Sequence, residues 1–142
     1  QGIRWLIAHP ERNKAVMRNP DIIKPFVDMG CMLQLTAASV VGAFGRSAGQ
    51  TAHTLLTRGL AHVVASDAHN LAHRPPRMGE ARRYLSQHFG MGIAYRLTEE
   101  NPARILAERV AEPGEELPLA QPQQTTPAAA PQGVIPQRMY AN

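Results

Sequence analysis

The sequence predicts an α/β protein made of parallel β/α units, with about three strands and helices outside them, as in part of a barrel wall. Three observations carry this. Apolar runs over 3–8, 31–37 and 60–66 alternate with segments of helical periodicity. Glycines stand where the intervening helices should stop. Ligand-type residues follow the first and third runs, at the strand ends where parallel α/β folds build their sites.

Taken in order, the first strand runs from Ile3 to Ala8 and reads as buried. Pro10 to Asn13 form its loop, and a helix begins near Asn19-Pro20, where Asn caps and Pro suits the first turn. Ile22, Ile23, Phe26, Val27 and Met29 follow helical spacing up to Gly30. The second strand is Cys31 to Ala37, followed by a short helical turn or loop over Ser39 to Gly45. A helix from Ser47 to Arg58 stops at Gly59, and the third strand is Leu60 to Ser66. After a polar loop from Asp67 to Pro76 comes a helix from Met78 to about Phe89, with Ala81, Tyr84, Leu85 and His88 on one face. A short helix or turn over Ile93 to Leu97 leads to Asn101-Pro102, read as the cap of a last helix, Ala103 to Val110.

Residues 1–111 thus form the folding unit. Residues 112–142, with six Pro and five Gln, have the composition of a disordered tail. A complete β/α barrel takes about 250 residues, so three strands are about half of one. The chain opens on Gln1 directly into a strand, and together these features predict a fragment.

The net charge of +4 comes from thirteen Arg and two Lys scattered without a basic run, and aromatics are few, which argues against nucleic acid. A single cysteine excludes an intramolecular disulfide and fits a reducing compartment, so cytoplasm is the default expectation. No apolar run approaches the roughly 20 residues of a membrane helix.

The chemistry concentrates in Ser66-Asp67-Ala68-His69-Asn70. Residues i and i+2 of a strand share a face, so Asp67 and His69 can converge, and a divalent metal is the usual partner of such a pair. The bland alternative is an acid capping the next turn beside a surface histidine. His9, at the end of the first strand, is the third candidate ligand. His62 falls on the opposite face and reads as a packed structural histidine, as do His53 and His88; His73 reads either way. Arg12 and Arg74 are candidate phosphate ligands, because guanidinium matches phosphate oxygens bidentately. Thiol chemistry is disfavoured: Ala37 stands where a cysteine phosphatase loop needs Arg after Cys31, and Cys31 is at the wrong strand end, reading as core. Gly42-Ala43-Phe44-Gly45-Arg46 lacks the Walker pattern but suits a lid or rim loop.

His9-Pro10-Glu11-Arg12-Asn13, Gln34-Leu35-Thr36-Ala37, Gly42-Ala43-Phe44-Gly45, Ser66-Asp67-Ala68-His69-Asn70 and Arg74-Pro75 together resemble the bacterial PHP-type protein tyrosine phosphatases. These are manganese-dependent enzymes of capsular and exopolysaccharide synthesis. The resemblance covers residues 3–110 and implies the C-terminal part of a distorted β/α barrel, the PHP fold, holding a metal cluster. It matches His9, Asp67 and His69 to metal ligands, and Arg12 and Arg74 to phosphate-binding arginines. It further implies a phosphotyrosine protein as substrate, a bacterial tyrosine kinase of polysaccharide export, and leaves the oligomeric state open. The family's earlier His-x-His strand has no counterpart here, so the chain alone is expected to be inactive. Two other readings stand beside this one: a PHP phosphoesterase acting on a small phosphate such as histidinol phosphate, and a non-catalytic binding or structural half-barrel.

Overall fold

The computed structural model describes residues 4–70 and 75–108. Three parallel strands form one sheet in the order β1 (Leu6–Ala8), β2 (Met32–Thr36) and β3 (Val63–Ala65). Ile7 pairs with Leu33, and Leu35 with Val64, so these four share one face. Leu33, Leu35 and Val64 are essentially inaccessible there and join one core with Val27, Leu55, Leu85 and Leu97 from the helical segments. The strands are shorter than their apolar runs, which continue into the connecting segments.

β1 corrects the expectation of a buried strand. Leu6 is 40% exposed and the preceding Trp5 65%. β1 is an edge, and among the described residues nothing pairs with its outer side. β2, hydrogen-bonded on both sides, is buried, as is most of β3.

Between β1 and β2 lie a 3₁₀ turn at Pro10–Arg12, helix α1 (Lys14–Arg18), a second 3₁₀ turn at Pro20–Ile23 and helix α2 (Lys24–Asp28). The sequence reading missed α1, which the Asn13 side chain caps by accepting from the Ala15 and Val16 amides. Asn19 caps as expected, accepting from the Asp21 amide, but what it opens is the 3₁₀ turn. α2 ends with Cys31 N–H donating to Phe26 and Gly30 N–H to Val27. Gly30 (φ 92°) sits in the left-handed region that this Schellman closure requires. Cys31 is partly exposed, not in the core as expected.

β2 runs directly into α3 (Ala37–Val40), then a turn to α4 (Arg46–Thr57), which closes in the same way at Gly59 (φ 66°). α5 (Met78–Phe89) has the expected bounds, with Ala81 and Leu85 buried, Tyr84 half-buried and His88 exposed but stacked on Tyr84. α6 (Met91–Tyr95), a π-helical stretch (Arg96–Glu100) and α7 (Asn101–Glu108) then follow without a break. Asn101 is therefore no cap. It is helical and buried, and its Nδ2 donates to the His62 carbonyl at 2.7 Å. His62 is the structural histidine expected: its Nδ1 accepts from the Leu33 amide at 3.1 Å while its own N–H donates to the Leu33 carbonyl. Ile3, His73, Arg74, Val110 and the tail expected over 112–142 lie outside the described residues.

Candidate active site

The turn after β1 is fixed at three points. His9 N–H donates to the Gln34 carbonyl at 2.8 Å, extending the ladder past the strand. The chain then reverses at His9 (φ 41°), a left-handed conformation that costs a non-glycine residue about 1–3 kcal/mol and persists only where its surroundings impose it. Glu11 is fully buried, and its Oε1 accepts the Thr36 amide at 3.0 Å, at the end of β2. Arg12 donates from Nη1 to Asp67 Oδ2 at 2.9 Å, at the end of β3. Alternate strands of a sheet lie about 9.6 Å apart, so only a long side chain spans from β1 to β3. Two consecutive residues thus tie one turn to the two other strand ends.

Asp67 (φ 48°) and His9 are the two non-glycine residues with positive φ among those described, and both are predicted ligands. The strand alternation invoked for Asp67 and His69 does not reach them, since β3 ends at Ala65 and the backbone turns at Asp67. They approach by another route. His69 Nδ1 lies 2.9 Å from the Asp67 carbonyl and 3.8 Å from its Oδ1. A carbonyl only accepts, so Nδ1 carries the proton and a neutral ring leaves its Nε2 lone pair available to a ligand.

Two cavities adjoin the Arg12–Asp67 pair, one lined by Arg12 and the other by Asp67. One, of about 410 Å³, is lined by Ala8, His9, Pro10, Arg12 and Asn13, with Val16 and Ile23 beneath. The other, of about 110 Å³, is lined by Phe44, Ser66, Asp67, Pro75 and Arg77. The Arg12 guanidinium lies 4.5 Å from the Phe44 ring centroid. Among ionisable groups, His62 is displaced: burial pushes its imidazole below the ordinary value, partly offset by a hydrogen bond with the Leu60 backbone.

Residues 1–107 match the model of a family described as capsular polysaccharide synthesis, CpsB/CapC. The chain belongs to this family. It is 39% identical over 99 residues to tyrosine-protein phosphatase YwqE of Bacillus subtilis, spanning 70% of this chain and 39% of that protein. Against tyrosine-protein phosphatase CpsB of Streptococcus pneumoniae it is 35% identical over 114 residues, 77% of this chain and 47% of the relative. A solved structure from work on YwqE and CpsB, described there as metal-dependent tyrosine phosphatases, superposes with a TM-score of 0.61 at 38% identity, over 63% of this chain and 36% of that one. The chain therefore spans less than half the length of these relatives.

Among the described residues of this CpsB/CapC chain, no three His, Cys, Asp or Glu side chains converge as a metal site. The donor types still suit a divalent cation: a carboxylate, and an imidazole whose second nitrogen is anchored on a carbonyl, the usual arrangement behind a metal-bound histidine. What falls short is their number. Two contributions escaped the sequence reading. Glu11 counts in the sequence only as support for His9 in the same loop, and nothing there shows that it turns inward to the end of β2. Phe44 reads in the sequence only as part of a lid or rim loop, and nothing in the chain order links it to Arg12. The oxygens Glu11 Oε2, Thr36 Oγ1 and Ser39 Oγ are buried with no hydrogen-bond partner among the described residues.

Proposed function

We propose that this chain carries the phosphate-binding wall of a metal-dependent phosphotyrosine-protein phosphatase of capsule and exopolysaccharide synthesis. The observation that carries this reading is the Arg12–Asp67 junction, where a guanidinium suited to phosphate meets a carboxylate suited to a metal ion, 2.9 Å apart at two strand exits. Family membership and relatives named as tyrosine-protein phosphatases support it. His9, Asp67 and His69 are the proposed metal-binding residues and manganese the proposed metal. Further donors belong to the part of the CpsB/CapC fold that this chain does not span. The whole is read as a distorted β/α barrel of the PHP type, acting in the cytoplasm on a phosphotyrosine protein such as a bacterial tyrosine kinase of polysaccharide export.

Divalent ions held by these residues would lower the pKa of bound water towards neutrality and so supply a nucleophile. The chain's own residues do the rest. Arg12, together with Arg74, would hold the equatorial phosphate oxygens, where charge must be stabilised as the phosphorus–phenolate bond breaks. The Nδ1–H of His69, anchored on the Asp67 carbonyl, leaves the Nε2 lone pair to serve as a metal ligand. In the complete enzyme, release of phosphate from a phosphotyrosine peptide should require manganese and stop on chelation. Arg12→Ala or Arg74→Ala should lower turnover about 10²-fold. Unchanged turnover in either variant removes that residue from the mechanism, and a preference for histidinol phosphate over the peptide would sink the protein-substrate reading.

A further inference from the structure

Phe44 is a large apolar side chain that stands outside the core and against Arg12. It occupies the short turn between α3 and α4, is half-buried, and is absent from the core cluster and from the hydrophobic residues packed against that cluster. The turn nevertheless holds it in place. Ala43 N–H donates to the Ala38 carbonyl at 2.8 Å and Gly45 N–H to the Gly42 carbonyl at 3.1 Å, with Gly42 (φ 78°) and Gly45 (φ 88°) supplying the left-handed positions. The ring is thereby presented at the Arg12 guanidinium, and it forms one wall of the cavity that Ser66, Asp67, Pro75 and Arg77 also line, with Arg12 lining the neighbouring cavity.

From this we infer that Phe44 is a specificity-determining residue that packs against the aromatic ring of an aryl phosphate ester. The inference rests on the phosphate-binding role proposed for Arg12. In an aryl phosphate only two bonds separate phosphorus from the ring. A ring whose phosphate is held by Arg12 must therefore lie within a side chain's width of that guanidinium, where Phe44 stands. Two aromatic rings attract in offset or edge-to-face arrangements with centroids about 4.5–7 Å apart, an interaction that an alkyl phosphate cannot make. Arg12 then has two neighbours with distinct tasks: Asp67 accepts a hydrogen bond from its Nη1, and Phe44, whose ring the guanidinium carbon overlies at 4.5 Å from the centroid, offers an apolar surface beside it to the leaving group. Phe44 would thus select tyrosine over serine or threonine esters without touching phosphorus.

The test compares phenylphosphonate with methylphosphonate, which share the anionic head and resist hydrolysis, by calorimetric or NMR titration of the 142-residue chain. The expected result is that phenylphosphonate binds about five- to tenfold more tightly. That ratio should fall below about twofold in Phe44→Leu and persist in Phe44→Tyr, with circular dichroism checking that both variants fold. A ratio unmoved by Phe44→Leu overturns the inference, as does a ratio near one in the parent chain. If neither phosphonate binds the parent, the phosphate-binding reading of Arg12 fails first, a result distinct from an altered ratio.

Discussion

Replacing Glu11 by alanine should be the most destabilising single change at the site. The carboxylate is fully buried and accepts the Thr36 amide at 3.0 Å. Without it that amide has no acceptor in a place water does not reach, which costs about 1–3 kcal/mol. The lost methylene adds about 0.8 kcal/mol. The sum, about 2–4 kcal/mol, is a large part of the roughly 5–15 kcal/mol that holds a domain together. Glu11→Gln keeps a carbonyl oxygen at the same place and turns the other position into a donor, so it should cost less than about 1 kcal/mol. Urea unfolding followed by circular dichroism reads both, and with a slope of about 1–3 kcal/mol/M the alanine midpoint should drop by about 0.7–4 M. An alanine variant within about 0.5 kcal/mol of the parent would refute the reasoning. A glutamine variant as unstable as the alanine one would show that the ionised carboxylate, not the acceptor, is what the site needs.

Other consequences can be checked alongside. His62 is held neutral by burial, with its folded pKa below the unfolded value. Its contribution is therefore complete above the unfolded value of about 6.5 and is lost as pH falls below it, because the unfolded chain then binds the proton more readily. Unfolding at pH 7.5 and 5.5 should show a stability decrement that His62→Gln reduces; equal decrements would contradict this. Asn101→Ala removes the bond to the His62 carbonyl and should cost about 1–3 kcal/mol, with faster amide exchange in α7 as its local signature. Asp67→Asn should change stability by less than about 1 kcal/mol, since its pair with Arg12 is partly exposed, yet weaken manganese binding by the complete enzyme about tenfold or more. Undiminished manganese affinity would remove Asp67 from the ligand set.

Much of the fold was legible because its signals are local. The glycines at 30 and 59 stop their helices for a reason intrinsic to the residue, the left-handed φ, and the Met78–Phe89 helix repeats its apolar face over three turns. The order of strands and helices followed from these stops. α1 was missed because five residues give too little periodicity, although Asn13 supplied a cap signal. Asn101 was misread because Asn-Pro is a good helix opening on its own, whereas here a hydrogen bond to a residue 39 positions away decides its role. β1 read as buried because an apolar run shows what a strand is made of, not which neighbours flank it. The site divides in the same way. Arg12, His9, Asp67 and His69 were nominated by residue type and strand-end position. That Arg12 closes on Asp67, 55 residues later, and that Glu11 turns inward to β2, depend on the sheet being assembled.

The exposed edge of β1 bears on how the protein behaves at the bench. Trp5 and Leu6 stand beside a row of backbone groups that no strand among the described residues occupies. Apolar edges of this kind template strand addition between molecules, and natural proteins blunt them with charge, proline or a covering segment. Ile7 and Ala8 bring no charge to it. Light scattering should therefore rise with protein concentration, and a lysine at Leu6 should suppress that rise. The working concentration thus becomes a variable in its own right, and the unfolding and titration experiments above belong at the dilute end of a concentration series.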